Sequence, residues 1–249
     1  MDIYNDDCFN IFPKIEDKSI NLFLLDLPYA NKKFGNCTAC AWDTPIDLDK
    51  MWIEIKRTIK PNGIIVFFCN TKFGCCLINS NPKWFKYDLI WEKSRKVGFL
   101  SANKQPLRKH ENIYIFKDQQ GTYNPQKTER EKDYKHSGKR SSEEHYGNVL
   151  ECKKEYKKED GMHPTSILPE FETTILKFNN PHKTIHRTQK PVDLLEWLIK
   201  TYSNEGDLVM DFCMGSGSCG VACMNTKRKF IGVERDEDIF KLAEKRLNF

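Results

Sequence analysis

No apolar run in this chain approaches the roughly 20 residues that a membrane-spanning helix needs, so none is expected. The opening stretch, MDIYNDDCFN, lacks the apolar segment of a signal peptide and carries Asp2, Asp6 and Asp7 instead. Secretion is therefore not expected. The 10 cysteines are read as mostly reduced thiols of an intracellular protein, in the cytoplasm, or in the nucleus if the source is eukaryotic. A zinc site would need a second cysteine pair at a spacing compatible with Cys37 and Cys40. Cys75-Cys76 and Cys219/Cys223 do not supply one, so no metal is expected. His163, His182 and His186 are scattered and read as ordinary loop histidines. There is no internal repeat. Acidic residues are missing altogether from Lys93 to Lys109, a run that holds Lys93, Arg95, Lys96, Lys104, Arg108 and Lys109. The net charge of +5, from 40 basic and 35 acidic residues, says little by itself. This stripe says more: it suits phosphate contacts, against the plain alternative of a solvated face.

What is present suits one α/β domain with an insertion across 249 residues. Leu22–Leu25 and Ile64–Cys69 are continuous apolar runs, the mark of strands buried on both faces of a mostly parallel sheet. Between them, Leu48, Met51, Trp52, Ile55 and Ile59 share one helical face, and Lys60-Pro61-Asn62-Gly63 is expected to stop that helix. Tyr87–Trp91 and Asn112–Phe116 read as further strands. Residues 117–163 are polar and nearly free of aliphatic side chains, too poor in apolar surface to hold a core, and are read as an insertion. Residues 1–116 and 164–249 are then two halves of one domain. The second half offers a helix after Pro191, a strand Leu208–Phe212, a strand Lys229–Glu234 and a closing amphipathic helix.

After Leu208–Phe212 come Gly215, Gly217 and Gly220, in the spacing of a nucleotide-binding turn. Glu234 ends the next strand, where a carboxylate can accept hydrogen bonds from ribose hydroxyls. The plain alternative is a tight turn and an exposed acid; strand, loop, helix, strand and acid together favour a nucleoside cofactor. A dinucleotide would need a second mononucleotide half beyond Glu234, and only one helix remains there. The sheet must therefore be completed from the N-terminal half, with Leu22–Leu25 as neighbour. This brings Asp26 and the Leu27-Pro28-Tyr29 that follows it to the cofactor.

That motif suits methyl transfer to an exocyclic amine. Such a nitrogen is a poor nucleophile because its lone pair is delocalised. The Asp26 carboxylate and the carbonyl of Leu27 or Pro28 can accept its hydrogens, with Pro28 stiffening the turn and Tyr29 offering a face for stacking.

Together, DLPY, DFCMGSGS and HRTQKPVDLLEWLI resemble the S-adenosylmethionine-dependent DNA amino-methyltransferases. The order, catalytic motif first and cofactor loop last, is similar to the β-type permutation, and the likeness extends to solitary phage-type N6-adenine methylases. The resemblance implies a doubly wound class I methyltransferase fold and base flipping from double-stranded DNA. It implies that Asp26, Pro28 and Tyr29 orient the target amine. It further implies that Asp211, Phe212, Gly215, Ser216, Gly217 and Ser218 wrap the methionine part of the cofactor, that Glu234 holds its ribose, and that Asp6, Asp7 and Cys8 lie near its adenine. Lys190, after Thr188 and Gln189, is implied at the methionine carboxylate. Leu27 stands where proline is more frequent. The stripe and the insertion are the candidate DNA contacts, and Trp42 either closes over the flipped base or belongs to the core. An acid in the DLPY position is associated with adenine. The alternatives are an N4-cytosine methyltransferase, a DNA-binding protein with a vestigial pocket and a nicotinamide oxidoreductase. A homodimer is an expectation from the resemblance alone.

Overall fold

The computed structural model describes residues 1–30, 44–128, 170–171, 173–181, 184 and 189–247. Trp42, the Cys37/Cys40 pair, Arg187, Thr188 and His163, His182 and His186 lie outside them. By internal contacts the chain divides into two compact units, residues 1–124 with 173–249, and residues 125–172. What is described of the second unit is an antiparallel pair, Lys127–Thr128 with Glu170–Phe171.

The first unit is built on an 8-stranded sheet. Its elements in chain order are β1 (Asp2–Asn5), α1 (Cys8–Ile11), β2 (Ile20–Leu25), α2 (Leu48–Thr58), β3 (Ile59–Cys69), α3 (Thr71–Ser80), β4 (Phe85–Val97) and β5 (Arg108–Phe116). After the short pair, β6 and β7, come β8 (Ile175–Phe178), α4 (Val192–Tyr202), β9 (Leu208–Asp211), α5 (Ser218–Asn225), β10 (Lys229–Glu234) and α6 (Glu237–Leu247). The strand order is β1-β10-β9-β2-β3-β5-β4-β8. Strands β1, β10, β9, β2 and β3 are parallel neighbours, and β5 runs antiparallel to both β3 and β4. The fold is the doubly wound, mostly parallel sheet of the class I methyltransferase type.

The continuous apolar runs are explained by burial on two faces. Phe23 and Leu25 of β2 and Ile65 and Phe67 of β3 face one core, filled by Met51, Trp52 and Ile55 of α2 and Phe73 and Leu77 of α3. Leu22, Leu24, Ile64, Val66 and Phe68 face the other, against Leu194, Leu198, Ala222 and Ala243 of α4, α5 and α6.

Lys60–Gly63 ends the helix as expected, but it does not delay the strand to Ile64. Strand β3 starts at Ile59, and its pairing jumps from Ile20–Ile59 to Leu22–Ile64. The extra residues bulge out, leaving Pro61 and Asn62 exposed, where a residue without an N–H costs the ladder nothing. Helix α3 has no clear helical stripe in the sequence. It forms because the Asn70 side chain accepts from Phe73 N at 2.8 Å as N-cap, and because Gly74 lets it lie on β5. A Cβ at Gly74 would stand 2.5 Å from Cε2 of Tyr114.

Strands β9 and β2 are sheet neighbours, and from them the chain winds outward in opposite directions. Their carboxyl ends carry Asp211 and Asp26. This is the switch point at which such sheets open a crevice.

Candidate active site

A cavity of about 730 Å³ opens over the carboxyl ends of β2 and β9. Asp26, Pro28 and Tyr29 line it, as do Asp6, Asp7 and Cys8 from the start of the chain. Lys190, Asp211, Phe212, Gly215, Ser216, Ser218 and Glu234 complete that wall. The N-terminal and C-terminal halves thus share one crevice.

On the β2 side the cavity holds a buried charge network. Asp26 follows the last residue of β2, and 28% of its side chain stays open. Lys190 Nζ lies 2.5 Å from Asp26 Oδ2 and 3.2 Å from Oε1 of Glu111. Lys93 Nζ lies 2.6 Å from Glu111 Oε2. The Tyr29 hydroxyl contacts Asp26 Oδ1 at 3.0 Å and makes a short contact with Glu111 Oε1. Both ammonium groups also sit over aromatic faces, Lys190 over Phe68 at 5.0 Å and Lys93 over Trp91 at 4.6 Å. Two carboxylates and two ammonium groups alternate, so the network is neutral.

Burial pushes the Asp26 carboxyl above the ordinary carboxylate range; Lys190 pulls it down and Glu111 adds to the rise. Burial raises Glu111 as well, but Lys190 and Lys93 outweigh it and hold Glu111 at about 2. Burial opposes the charge on Lys190, and the two carboxylates outweigh that and raise its pKa. The Tyr29 hydroxyl is driven well up by burial and by both acids, so it remains a protonated donor. Asp26 is therefore the acid of the pair that takes a proton more readily.

Tyr29 is fixed by a second contact: its ring stacks on Phe73 of α3 with centroids 5.6 Å apart and planes at 24°. One face of the ring is taken, and the residue still borders the cavity.

On the β9 side, Gly215 and Gly217 adopt the left-handed region, with φ of 53° and 76°. This bends the loop so that Gly215 N donates to Glu234 Oε2 at 3.0 Å, while Asp236 N donates to Oε1 at 2.9 Å. A Cβ at Gly217 would stand 3.3 Å from Ala243 Cβ and from Leu247 Cδ1 of α6. Arg246 donates to Ser218 Oγ at 2.9 Å and to Ser216 O at 3.2 Å, tying the loop to the closing helix. Phe212 is buried against Phe12 at 5.3 Å and Phe23 at 6.0 Å. Asp211 is buried, and burial, with Asp26 and Glu234 near it, pushes it up to about 8.

At the N-terminus, Asp6 accepts from Asn10 Nδ2 at 2.8 Å and from Asp7 N at 2.7 Å. Asp7 caps α1 by accepting from Phe9 N at 2.9 Å. Burial, with Asp7 beside it, raises the Cys8 thiol to about 12, so it is no nucleophile at neutral pH.

Three of the residues singled out in the sequence have ion-pair partners within the chain. Lys190, implied at the cofactor carboxylate, is ion-paired with Asp26 and Glu111. Lys93, read as a DNA-facing cation, is inside the cavity on Glu111. Lys109 is exposed but paired with Glu92 at 2.7 Å; Arg95, Lys96 and Lys104 are the other exposed cations of the stripe. Glu111 was not foreseen. Its signal is the one that marked Asp26, an acid beside a buried strand, but here it precedes the apolar run and is hidden by the basic residues before it.

The sequence model of the N6/N4 DNA methylase family matches residues 20–245. The type II methyltransferase M1.MboII of Moraxella bovis is 27% identical over 262 residues, covering 99% of this chain and 96% of its own. A bacterial relative lends no support to the nuclear alternative. Among solved structures, the M1.HpyAVI–SAM complex superposes with a TM-score of 0.64 at 23% identity, covering 99% of both chains. The cytosine-N4-specific PvuII DNA methyltransferase superposes with a TM-score of 0.69 at 14% identity, covering 98% of this chain and 85% of its own. The chain belongs to the N6/N4 family of DNA methylases, the amino-methyltransferases.

Proposed function

We propose that this DNA methyltransferase transfers a methyl group to the exocyclic N6 of an adenine flipped out of duplex DNA. Its methyl donor is S-adenosylmethionine, which supplies an electrophilic methyl on a sulfonium. The crevice suits that molecule: the glycine loop lets backbone approach, Glu234 ends β10 where ribose hydroxyls can donate to it, and buried Asp211 can accept from an ammonium. Its volume of about 730 Å³ is in the ordinary range for a ligand pocket.

Asp26 accepts one amine hydrogen and the carbonyl of Leu27 or Pro28 the other, which turns the nitrogen lone pair toward the donor. Each carboxylate oxygen has a second lone pair, so the bonds from Lys190 and Tyr29 do not exhaust Asp26. Its raised pKa also suits it to take the proton that the methylated amine sheds. Lys190 and Glu111 are positioning residues: they hold Asp26 in place and keep the network neutral. Tyr29, braced by Phe73, borders the cavity that would receive the base, where stacking on an aromatic ring is worth about 1–3 kcal/mol.

The observation that carries this reading is the Asp26 carboxylate at the switch point, in one cavity with Asp211 and Glu234. The choice of adenine rests on the resemblance of the motif. Incubation with methyl-labelled cofactor and DNA, followed by digestion to nucleosides, tests it. Label in N6-methyl-2′-deoxyadenosine is expected. Label in N4-methylcytosine would overturn the base, and label that appears only with RNA would overturn the substrate.

A further inference from the structure

The connection from β4 to β5 ends in an apolar tip that nothing among the described residues covers. Phe99 is 83% exposed, Leu100 98% and Val97 45%. The tip is nevertheless well formed. Gly98 turns it with φ of 92°, and Ser101 N donates to Gly98 O at 2.9 Å. Ala102 N then donates to Phe99 O at 3.0 Å, and Lys104 N to Ser101 O at 2.9 Å. Exposing two large apolar side chains on an ordered turn runs against the hydrophobic effect and marks a contact surface.

The surroundings say what it contacts. Arg95, Lys96 and Lys104 flank the tip and are exposed, and no acid occurs from Ser94 to His110. An apolar wedge between cations fits stacked bases between phosphates. A second copy of the chain would bring the same cations against themselves. The base of the hairpin enters the cavity of Asp26, where Val97, Arg108 and His110 line the wall. Arg108 Nε donates to His110 O at 3.1 Å, and its buried Nη2 has no partner among the described residues.

We propose that Phe99 and Leu100 are a wedge that enters the base stack where the target base has left it, with Arg95, Lys96 and Lys104 on the flanking phosphates. This rests on the methyltransferase reading and goes beyond it by assigning the element that opens the duplex.

The test compares the wild type with the double variant Phe99→Ala/Leu100→Ala, whose side chains leave no hole in the core. On unmethylated genomic duplex DNA the variant is expected to lose at least about tenfold in methyl-transfer rate, with unchanged cofactor Kd and thermal midpoint. Lys96→Ala/Lys104→Ala is expected to reduce the slope of log K for DNA against log salt by about two. A duplex rate within about twofold of wild type in the apolar variant would overturn the wedge. So would a wild-type dimer that the variant turns into a monomer, because the tip would then be covered by a second copy. Relaxation of closed circular plasmid by topoisomerase in the presence of the protein gives a readout that needs no methylation. Unwinding by the wild type and its loss in the variant are expected, and equal unwinding by both would sink the proposal. Unwinding without methyl transfer to any nucleic acid would overturn the proposed function and leave the wedge standing.

Discussion

Asp26 and Asp211 are acids at the ends of adjacent strands, and burial raises both, yet their neighbours give them different work. Asp26 has a lysine within 2.5 Å and an open side toward the cavity. Asp26→Ala is expected to lower turnover by about 10³-fold or more while the cofactor Kd stays within a few-fold, measured by single-turnover kinetics and calorimetry. Equal loss of both would make Asp26 a cofactor ligand or a structural residue. Asp211 forms no ion pair among the described residues; Lys190 acts on it only from a distance, and burial holds its carboxyl at about 8. A cationic cofactor favours the ionised form, so binding releases a proton below that pH. Affinity is expected to rise as pH increases from 6 toward 8, by at most about tenfold per unit, and to be flat over that interval in Asp211→Asn. Binding titrations at each pH check it.

At the scale of an element, α3 shows how a helix away from the cofactor loop sets the site. Its Phe73 braces the ring of Tyr29, and its close approach to β5 depends on Gly74. A methyl group there would meet the Tyr114 ring at 2.5 Å and push the helix outward. Gly74→Ala is expected to cost about 1–3 kcal/mol of stability by overpacking. It should also lower kcat more than cofactor affinity, because Tyr29 loses its support. A thermal melt with steady-state kinetics measures both. The antiparallel β4–β5 pair is the second informative element. One ribbon carries Lys93 and Glu111 into the cavity and Phe99 and Leu100 into solvent.

For the whole molecule, the charge network couples stability to acid. Glu111 titrates at about 2 in the fold against an ordinary 4.5. Between those values the unfolded chain binds the more protons, so the stabilisation is present above 4.5 and is lost as pH falls toward 2. Chemical denaturation is expected to show a steeper loss across that window in the wild type than in Glu111→Gln. A parallel loss in both would mean that the lysines do not hold Glu111 ionised.

Much of this molecule was legible in the linear chain because the signals are local. Unbroken apolar runs mark strands buried on both faces, glycine spacing marks a turn that needs positive φ, and an acid directly after a strand marks a sheet end. From these follow the doubly wound class and the meeting of Asp26 with the glycine loop. The partners of Asp26 were not legible. Glu111 and Lys190 lie far from it in sequence, and the strand order β2-β3-β5 together with the approach to α4 brings them within hydrogen-bond distance. Which lysine faces solvent and which is buried on a carboxylate depends on such long-range pairing, and the basic stripe reads the same either way. The helix α3 and the bare apolar tip at Phe99 were hidden for the same reason: burial is a property of what packs alongside, and only the folded chain decides that.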